Sequence, residues 1–345
     1  MVRFATFNLA FDRTAPGMLG EELALTRTEQ DALLARLADG TLSGAEKTKA
    51  LDVQQIRNIA EIVQRTRPDV LLLSEFDNDG KGSDTTDLKA FNDNYLAHAQ
   101  HDEVTAISYP VLQNFATNTG LMSGHDLNLD GKRNNGPDDA WGFGNYHGQY
   151  AFAVMSRYPI DTRQIRTFQK FKWKEMPGEA NPVIDDCHNP RAPIPSGRQC
   201  GDAWYSDAAW QQYPLSSKNH ADVPVHIRQG DREEVIHFLI SHPTPPIFGN
   251  AARHNVRRNR AEVAFWQDYV EGESYMVDDA GKAGGLPVGA RFVIAGDLNA
   301  DPQIGDGDRT AIRDLHDHVL VNQAVTKGAL IPVSQGGPEC LASQP

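Results

Sequence analysis

The sequence predicts an α/β fold organised as one domain, and three features predict it. Short apolar runs recur along the chain, and each closes on a polar residue: Asn8, Glu75, His242, and the Asp297-Leu298-Asn299 triplet. Two amphipathic segments with helical spacing lie between those runs. No Pro/Gly/Ser-rich linker divides the 345 residues, a length that one large α/β domain can use.

The first run, Arg3 to Leu9, reads as a strand delivering Asn8, and a polar stretch follows it. Ala45 to Thr66 reads as a helix with Leu51, Ile56, Ile59, Ile62 and Val63 on its apolar side, stopped by Pro68. Residues 69–75 form a continuous apolar run suited to a strand buried on both faces, ending in Glu75. Residues 114–149 are rich in Gly, Asn and Asp and read as a long loop. Tyr150 to Met155 is the next strand, and the proline-rich 174–222 region is read as loop. Val235 to Ser241 is a strand that delivers His242. Asn250 to Tyr269 is a helix through Val256, Val263, Phe265 and Trp266, and Arg291 to Ala295 is a strand that delivers Asp297.

Composition narrows the function. The net charge is -13, which argues against strong non-specific binding to nucleic acid, since a protein gripping many phosphates carries a basic face. Phosphate chemistry remains open, because a divalent cation can supply positive charge locally. No apolar run reaches the length of a membrane span. Among Cys187, Cys200 and Cys340, the first two bracket a Pro/Gly-rich loop and are expected to form a disulfide. That bond implies an oxidising compartment, so a secreted or periplasmic protein with its leader removed is expected. Cys340 is left without a partner.

The polar strand ends make up a phosphoesterase parts list. Glu75 and Asp297 are hard oxygen ligands for Mg²⁺, Mn²⁺ or Ca²⁺. Asn8 and Asn299 can orient a water or contact a phosphate oxygen without adding charge. His242 can stabilise charge or move a proton. Each is unremarkable alone, since a carboxylate, a histidine or an Asp-x-Asn turn at a strand end is more often structural. Two further places are candidates. Asp126, Asn128 and Asp130, with Gly131 in sixth position and Asp138 or Asp139 as a closing ligand, have the alternation of a structural Ca²⁺ loop, against a plain Asx-rich turn. The Ser216–Asp222 segment reads first as a solvated loop before a strand, with Lys218 or His220 as groups that could face a substrate phosphate.

Five pieces in order resemble the endonuclease/exonuclease/phosphatase family, whose fold is similar to that of deoxyribonuclease I. They are Thr6-Phe7-Asn8, the run Pro68 to Glu75, Val154 to Ile160, Ile240-Ser241-His242-Pro243, and Ile294 to Asn299. The resemblance implies a four-layer α/β sandwich, two packed mixed sheets flanked by helices. It implies Glu75 as metal ligand supported by Asn8, His242 on the scissile phosphate, Asp297 on the attacking water, and Asn299 on a phosphate oxygen. The expected activity is divalent-metal-dependent hydrolysis of phosphate esters. An extracellular nuclease for DNA or RNA is the alternative, and a non-catalytic binding module on the same fold is the alternative from another class.

The family pattern closes with an Asp-His pair near the C-terminus. Asp317-His318 falls inside a segment that reads as a helix, and the chain ends at Pro345. The expectation is therefore that the C-terminal strands are missing, carried by a cleaved fragment of the same protein that completes the fold.

Overall fold

The structure is a computed structural model that describes residues 1–345 except 231, 332–335 and 344–345. Its strands form two four-stranded mixed sheets. The first has the order β1 (Phe4–Phe11), β2 (Val70–Phe76), β4 (Phe152–Ser156), β3 (Val111–Asn114). The second runs β5 (Arg166–Thr167), β6 (His220–Gln229), β7 (Arg232–Ser241), β8 (Arg291–Gly296). Each sheet contains one parallel pair, β1 with β2 and β7 with β8, and its other pairs are antiparallel.

Alternation along the strands decides which sheet face packs where. Val70, Leu72, Phe152 and Val154 of the first sheet meet Val223, Val225, Phe238 and Ile240 of the second in one buried cluster. The opposite face of β2, Leu71 and Leu73, packs under helix α3 (Gly44–Thr66) and its neighbours α1 (Met18–Leu23) and α4 (Thr86–Phe91). Leu239 of β7 faces outward to α6 (His254–Glu271) and α7 (Thr310–Asp317). The layers are therefore helix, sheet, sheet, helix, the sandwich that the motif order implied. A buried strand needs apolar residues on both faces, which is why β2 is a continuous apolar run.

Helix α3 buries Val53, Ile56, Ile59, Ala60 and Val63, the three-and-four spacing of one helical face. It ends at Arg67 in the left-handed conformation, just before Pro68. Leu51 and Ile62, which the sequence placed on that face, are exposed instead. The polar stretch after β1 holds α1 and α2 (Arg27–Ala38). Helix α2 begins with a capping box, Thr26 accepting from the Glu29 amide while Glu29 accepts from Thr26. The short helix α5 (Asp207–Trp210) breaks the long loop before β6. Cys187 and Cys200 are joined by a disulfide across the 174–222 region, and the side chain of Cys340 lies outside the described residues. Among the described residues no helix is long and apolar enough to cross a membrane.

Phe238 is fully buried between the sheets, with the Phe4 ring 5.2 Å away. Phe238→Ala is expected to destabilise the protein by about 3–5 kcal/mol, the usual result of emptying a packed aromatic site. Urea unfolding measures it, and a loss below about 1 kcal/mol would contradict this packing.

Candidate metal centre

Both parallel pairs deliver their polar residues to the same place. Register aligns Asn8 with Ser74, so Glu75 follows directly beside it. Register aligns Ser241 with Gly296, so His242 and Asp297 emerge side by side from β7 and β8. The carboxyl ends of parallel strands are common ligand sites for this reason. Gly296 is required here: a Cβ would sit 2.0 Å from the Ser241 carbonyl oxygen.

Asn8 joins the two sheets. Its amide Nδ2 donates to Glu75 Oε1 at 2.8 Å and to Asp297 Oδ2 at 3.1 Å. His242 Nε2 lies 4.0 Å from Glu75 Oε1 and 3.8 Å from Asp297 Oδ2. Among the described residues, one group of three or more His, Cys, Asp or Glu side chains has ligand atoms mutually within 4.8 Å: Glu75, His242 and Asp297. Asn299, at φ 50°, donates its Nδ2 to the Pro243 carbonyl at 3.2 Å, and its backbone N–H donates to Asp297 Oδ1 at 3.2 Å.

Electrostatics fit a cation. Burial pushes the Glu75 carboxyl above its ordinary value; the Asn8 amide opposes this, and Asp12 and Asp297 add to it. Two carboxylates gathered in a half-buried site repel, and a divalent cation would reverse that balance. The buried His242 is pushed well below its usual value by burial first and by Lys218 second, so it is neutral, and its Nδ1 has no hydrogen-bond partner. These donors, two carboxylate groups with a neutral imidazole beside them, suit a hard divalent ion better than a thiolate-loving one.

The Ser216–Asp222 segment is not a solvated loop. Ser216 through His220 are all buried, because this stretch runs into β6 beneath α6. The buried Glu262 of α6 holds it: Oε1 accepts the Ser217 N–H and Oε2 the Thr244 N–H, each at 2.6 Å. One carboxylate thus fixes the backbone beside Lys218 and beside His242. Lys218 lines the same cavity as the cluster, and burial pushes its ammonium down to about 8 against the pull of Glu262 and Glu75. Its Nζ makes no hydrogen bond or ion pair among the described residues. His220 is a correction to the sequence reading. Its Nδ1 accepts from the Ser216 hydroxyl at 2.6 Å, and its Nε2 donates to the Glu262 carbonyl at 2.8 Å. Its ring packs on Phe265 and Trp266, so it faces the core and has no nitrogen left for a phosphate.

Glu262, Thr244 and Arg258 were missed by sequence reasoning. The signal was present: Arg258, Glu262 and Trp266 recur every four residues, a polar stripe on the buried side of α6. Asp77 was missed too. It accepts the backbone N–H groups of Arg13 and Tyr150, each at 2.9 Å, and the Tyr146 hydroxyl, tying three loops around Glu75.

The 126–138 loop is held by its own amides. Asp126 accepts from Asp130 and Gly131, Asn128 from Asp130, and Asp130 from Lys132 and Asn135. The buried Asp139 closes it, accepting from Leu127 and Asn135, while Asp138 lines the cavity of the metal cluster. Asp317-His318 lies at the end of α7, outside the cluster. Asp317 pairs with Lys327, and His318 with Glu271. No observation supports a cleaved fragment as a partner.

The sequence model of the Endonuclease/Exonuclease/phosphatase family matches residues 5–338. The chain belongs to that family. Its members are metal-dependent phosphoric ester hydrolases, and this chain is an enzyme of that class rather than a non-catalytic module. No curated protein matches the chain. Among solved structures, a β-hairpin deletion mutant of beta toxin from Staphylococcus aureus is similar at 12% identity over 92% of this chain and 72% of that one, with a TM-score of 0.37. An endonuclease/exonuclease/phosphatase from Beutenbergia cavernae is similar at 15% identity over 76% of this chain and 48% of that one, TM-score 0.36. A family protein from Bacteroides thetaiotaomicron is similar at 10% identity over 91% and 69%, TM-score 0.35. Membership rests on the family match, not on these distant likenesses.

His220 makes stability depend on pH. Burial holds it neutral, at about 4 against an ordinary 6.5. A base whose folded value is depressed lends stability that is present above about 6.5 and lost as pH falls toward 4, because the unfolded chain binds the proton first. Urea unfolding at pH 7 and pH 4.5 is expected to differ less in His220→Gln than in the parent. An equal slope in both would refute the assignment.

Proposed function

We propose that this chain hydrolyses small phosphate diesters or monoesters, with Mg²⁺ or Mn²⁺ held by Glu75 and Asp297. The observation that carries this reading is the convergence of Glu75, His242 and Asp297 with the bridging Asn8 at the ends of both parallel strand pairs. The bound cation would polarise a phosphoryl oxygen and lower the pKa of a water from about 15.7 toward neutrality.

The protein's own groups divide the remaining work. Asn8 holds the two carboxylates in place with one amide. Asp297, steadied by the Asn299 N–H, takes the proton of the attacking water. His242, neutral and with an unpartnered Nδ1, donates from Nε2 to a phosphate oxygen. Asn299 keeps one amide hydrogen for a second oxygen after bonding Pro243. Lys218 faces no carboxylate at bonding distance, so its charge is free to offset a phosphate. The net charge of -13 favours a small ester over a long polyanion, and a nuclease is the second reading. The Cys187–Cys200 bond favours a secreted or periplasmic setting.

Glu75→Ala and His242→Ala are each expected to lower turnover of bis(p-nitrophenyl) phosphate by at least about a hundredfold, a typical size for a lost catalytic group. Chelator should abolish the parent activity, with Mg²⁺ or Mn²⁺ restoring it and Ca²⁺ serving as the comparison. Near-parent rates in either folded variant, or indifference to chelator, would refute the mechanism.

A further inference from the structure

The cavity that contains the metal cluster is much larger than a cation and a phosphate group require. It encloses about 750 Å³, within the range that takes a whole organic ligand. Glu75, His242, Asp297 and Lys218 line one part of it. The remaining walls have a different chemistry.

Trp204, Tyr205 and Tyr213 form a buried aromatic floor whose geometry is already committed. Trp204 Nε1 donates to the Leu127 carbonyl at 2.9 Å, the Tyr205 and Tyr213 rings lie 4.6 Å apart, and the Arg258 guanidinium covers Tyr213 at 4.9 Å. Phe143 and Phe248 line the same cavity but are 55% and 89% exposed, and neither packs on another aromatic ring among the described residues. Phe248 also sits at φ 58°, in the left-handed region that bulky residues seldom occupy. Strain of this kind gathers at ligand clamps.

Unpartnered polar atoms gather here as well. His242 Nδ1, Thr244 Oγ1 and His254 Nδ1 are buried atoms with no hydrogen bond, and all three residues line this cavity. Buried polar groups are hydrogen-bonded as a rule, and three of the eight exceptions among the described residues line this one cavity. The phosphate accounts for Lys218 and for the Nε2 of His242. It leaves His242 Nδ1, the hydroxyl of Thr244 (7% exposed) and His254 Nδ1 unmet.

We infer that this recess is a specificity pocket for the organic group of the ester: a planar, polar ring of nucleobase type, sandwiched by Phe143 and Phe248 and hydrogen-bonded by Thr244 and His254. The inference rests on the phosphoester reading and names its substrate class, a discrete nucleotide-like ester rather than a polymer. A polymer would need cationic ground for its flanking phosphates. Of the two cations in the wall, Arg258 lies over Tyr213 and donates to the Leu215 and Pro214 carbonyls, which leaves Lys218 alone, in a wall that also carries Asp138 and a chain of net charge -13.

Thymidine 5′-monophosphate and methyl phosphate carry the same phosphate group and differ in the nucleoside, so calorimetric titration of both, with Mg²⁺ present, isolates the recess. The nucleotide is expected to bind at least about tenfold more tightly, a gain in line with one base stacked on an aromatic side chain. Phe143→Ala and Phe248→Ala should each cut that ratio by threefold or more, with little change in melting temperature because both rings are exposed. Equal affinity for the two esters, or a ratio unmoved by both substitutions, would overturn the inference. So would tighter binding of a single-stranded DNA oligomer than of the mononucleotide at 150 mM salt. Absence of binding to either ester alongside metal-dependent turnover of bis(p-nitrophenyl) phosphate would sink the recess and leave the phosphoester reading standing. Absence of both would sink the two together.

Discussion

The bridge from Asn8 to Glu75 and Asp297 is the contact on which the arrangement turns. It spans the two sheets at their shared rim, where β1 and β8 lie close together. Two acidic groups that would repel each other are drawn together by a neutral amide that gives one hydrogen to each. A lysine in that place would neutralise the site and compete with a cation. An asparagine keeps the negative charge available while it fixes the separation. The burial that raises Glu75 makes that carboxylate costly to keep ionised, a cost that a cation beside it would offset.

Behind that bridge stands Glu262. A carboxylate with no exposure on a helix would be expensive, but it accepts two backbone N–H groups, one next to Lys218 and one two residues past His242. Its backbone carbonyl meanwhile accepts a hydrogen bond from His220 Nε2. One residue on α6 therefore registers the start of β6 against the end of β7. The consequence is a lysine with a depressed pKa and no fixed partner, and a neutral histidine, in one cavity. Electrostatic preorganisation of this kind is assembled by the fold before any ligand arrives.

Much of this was legible in the sequence because strands announce themselves by what they exclude. Residues 70–73 are apolar without interruption, so the polar Glu75 that closes the run had to be at an end. The same logic exposed His242 and Asp297, whereas Asn8 lies inside β1, which runs on to Phe11 past an irregularity in its pairing with β2. Motif order then brought them into one site, which period and propensity could not do alone. The helix α2 was overlooked although Thr26 and Glu29 write its capping box, because a mostly polar helix gives little periodic signal. Leu51 and Ile62 were put on the wrong side of α3 because a list of apolar residues at roughly helical spacing does not fix the angle of the buried face.

The failure at Ser216–Asp222 has a different cause and is the more instructive one. A string of Ser, Ser, Lys, Asn, His looks solvated because burying each group alone is unfavourable. It is buried because its partners come from elsewhere: Glu262 for the Ser217 amide, the Ala116 carbonyl for Asn219, and the Glu262 carbonyl for His220. No local rule contains those residues. The one member without a hydrogen-bond or ion-pair partner among the described residues is Lys218, and in a segment where every neighbour is satisfied, that single unmet charge lines the cavity of Glu75, His242 and Asp297.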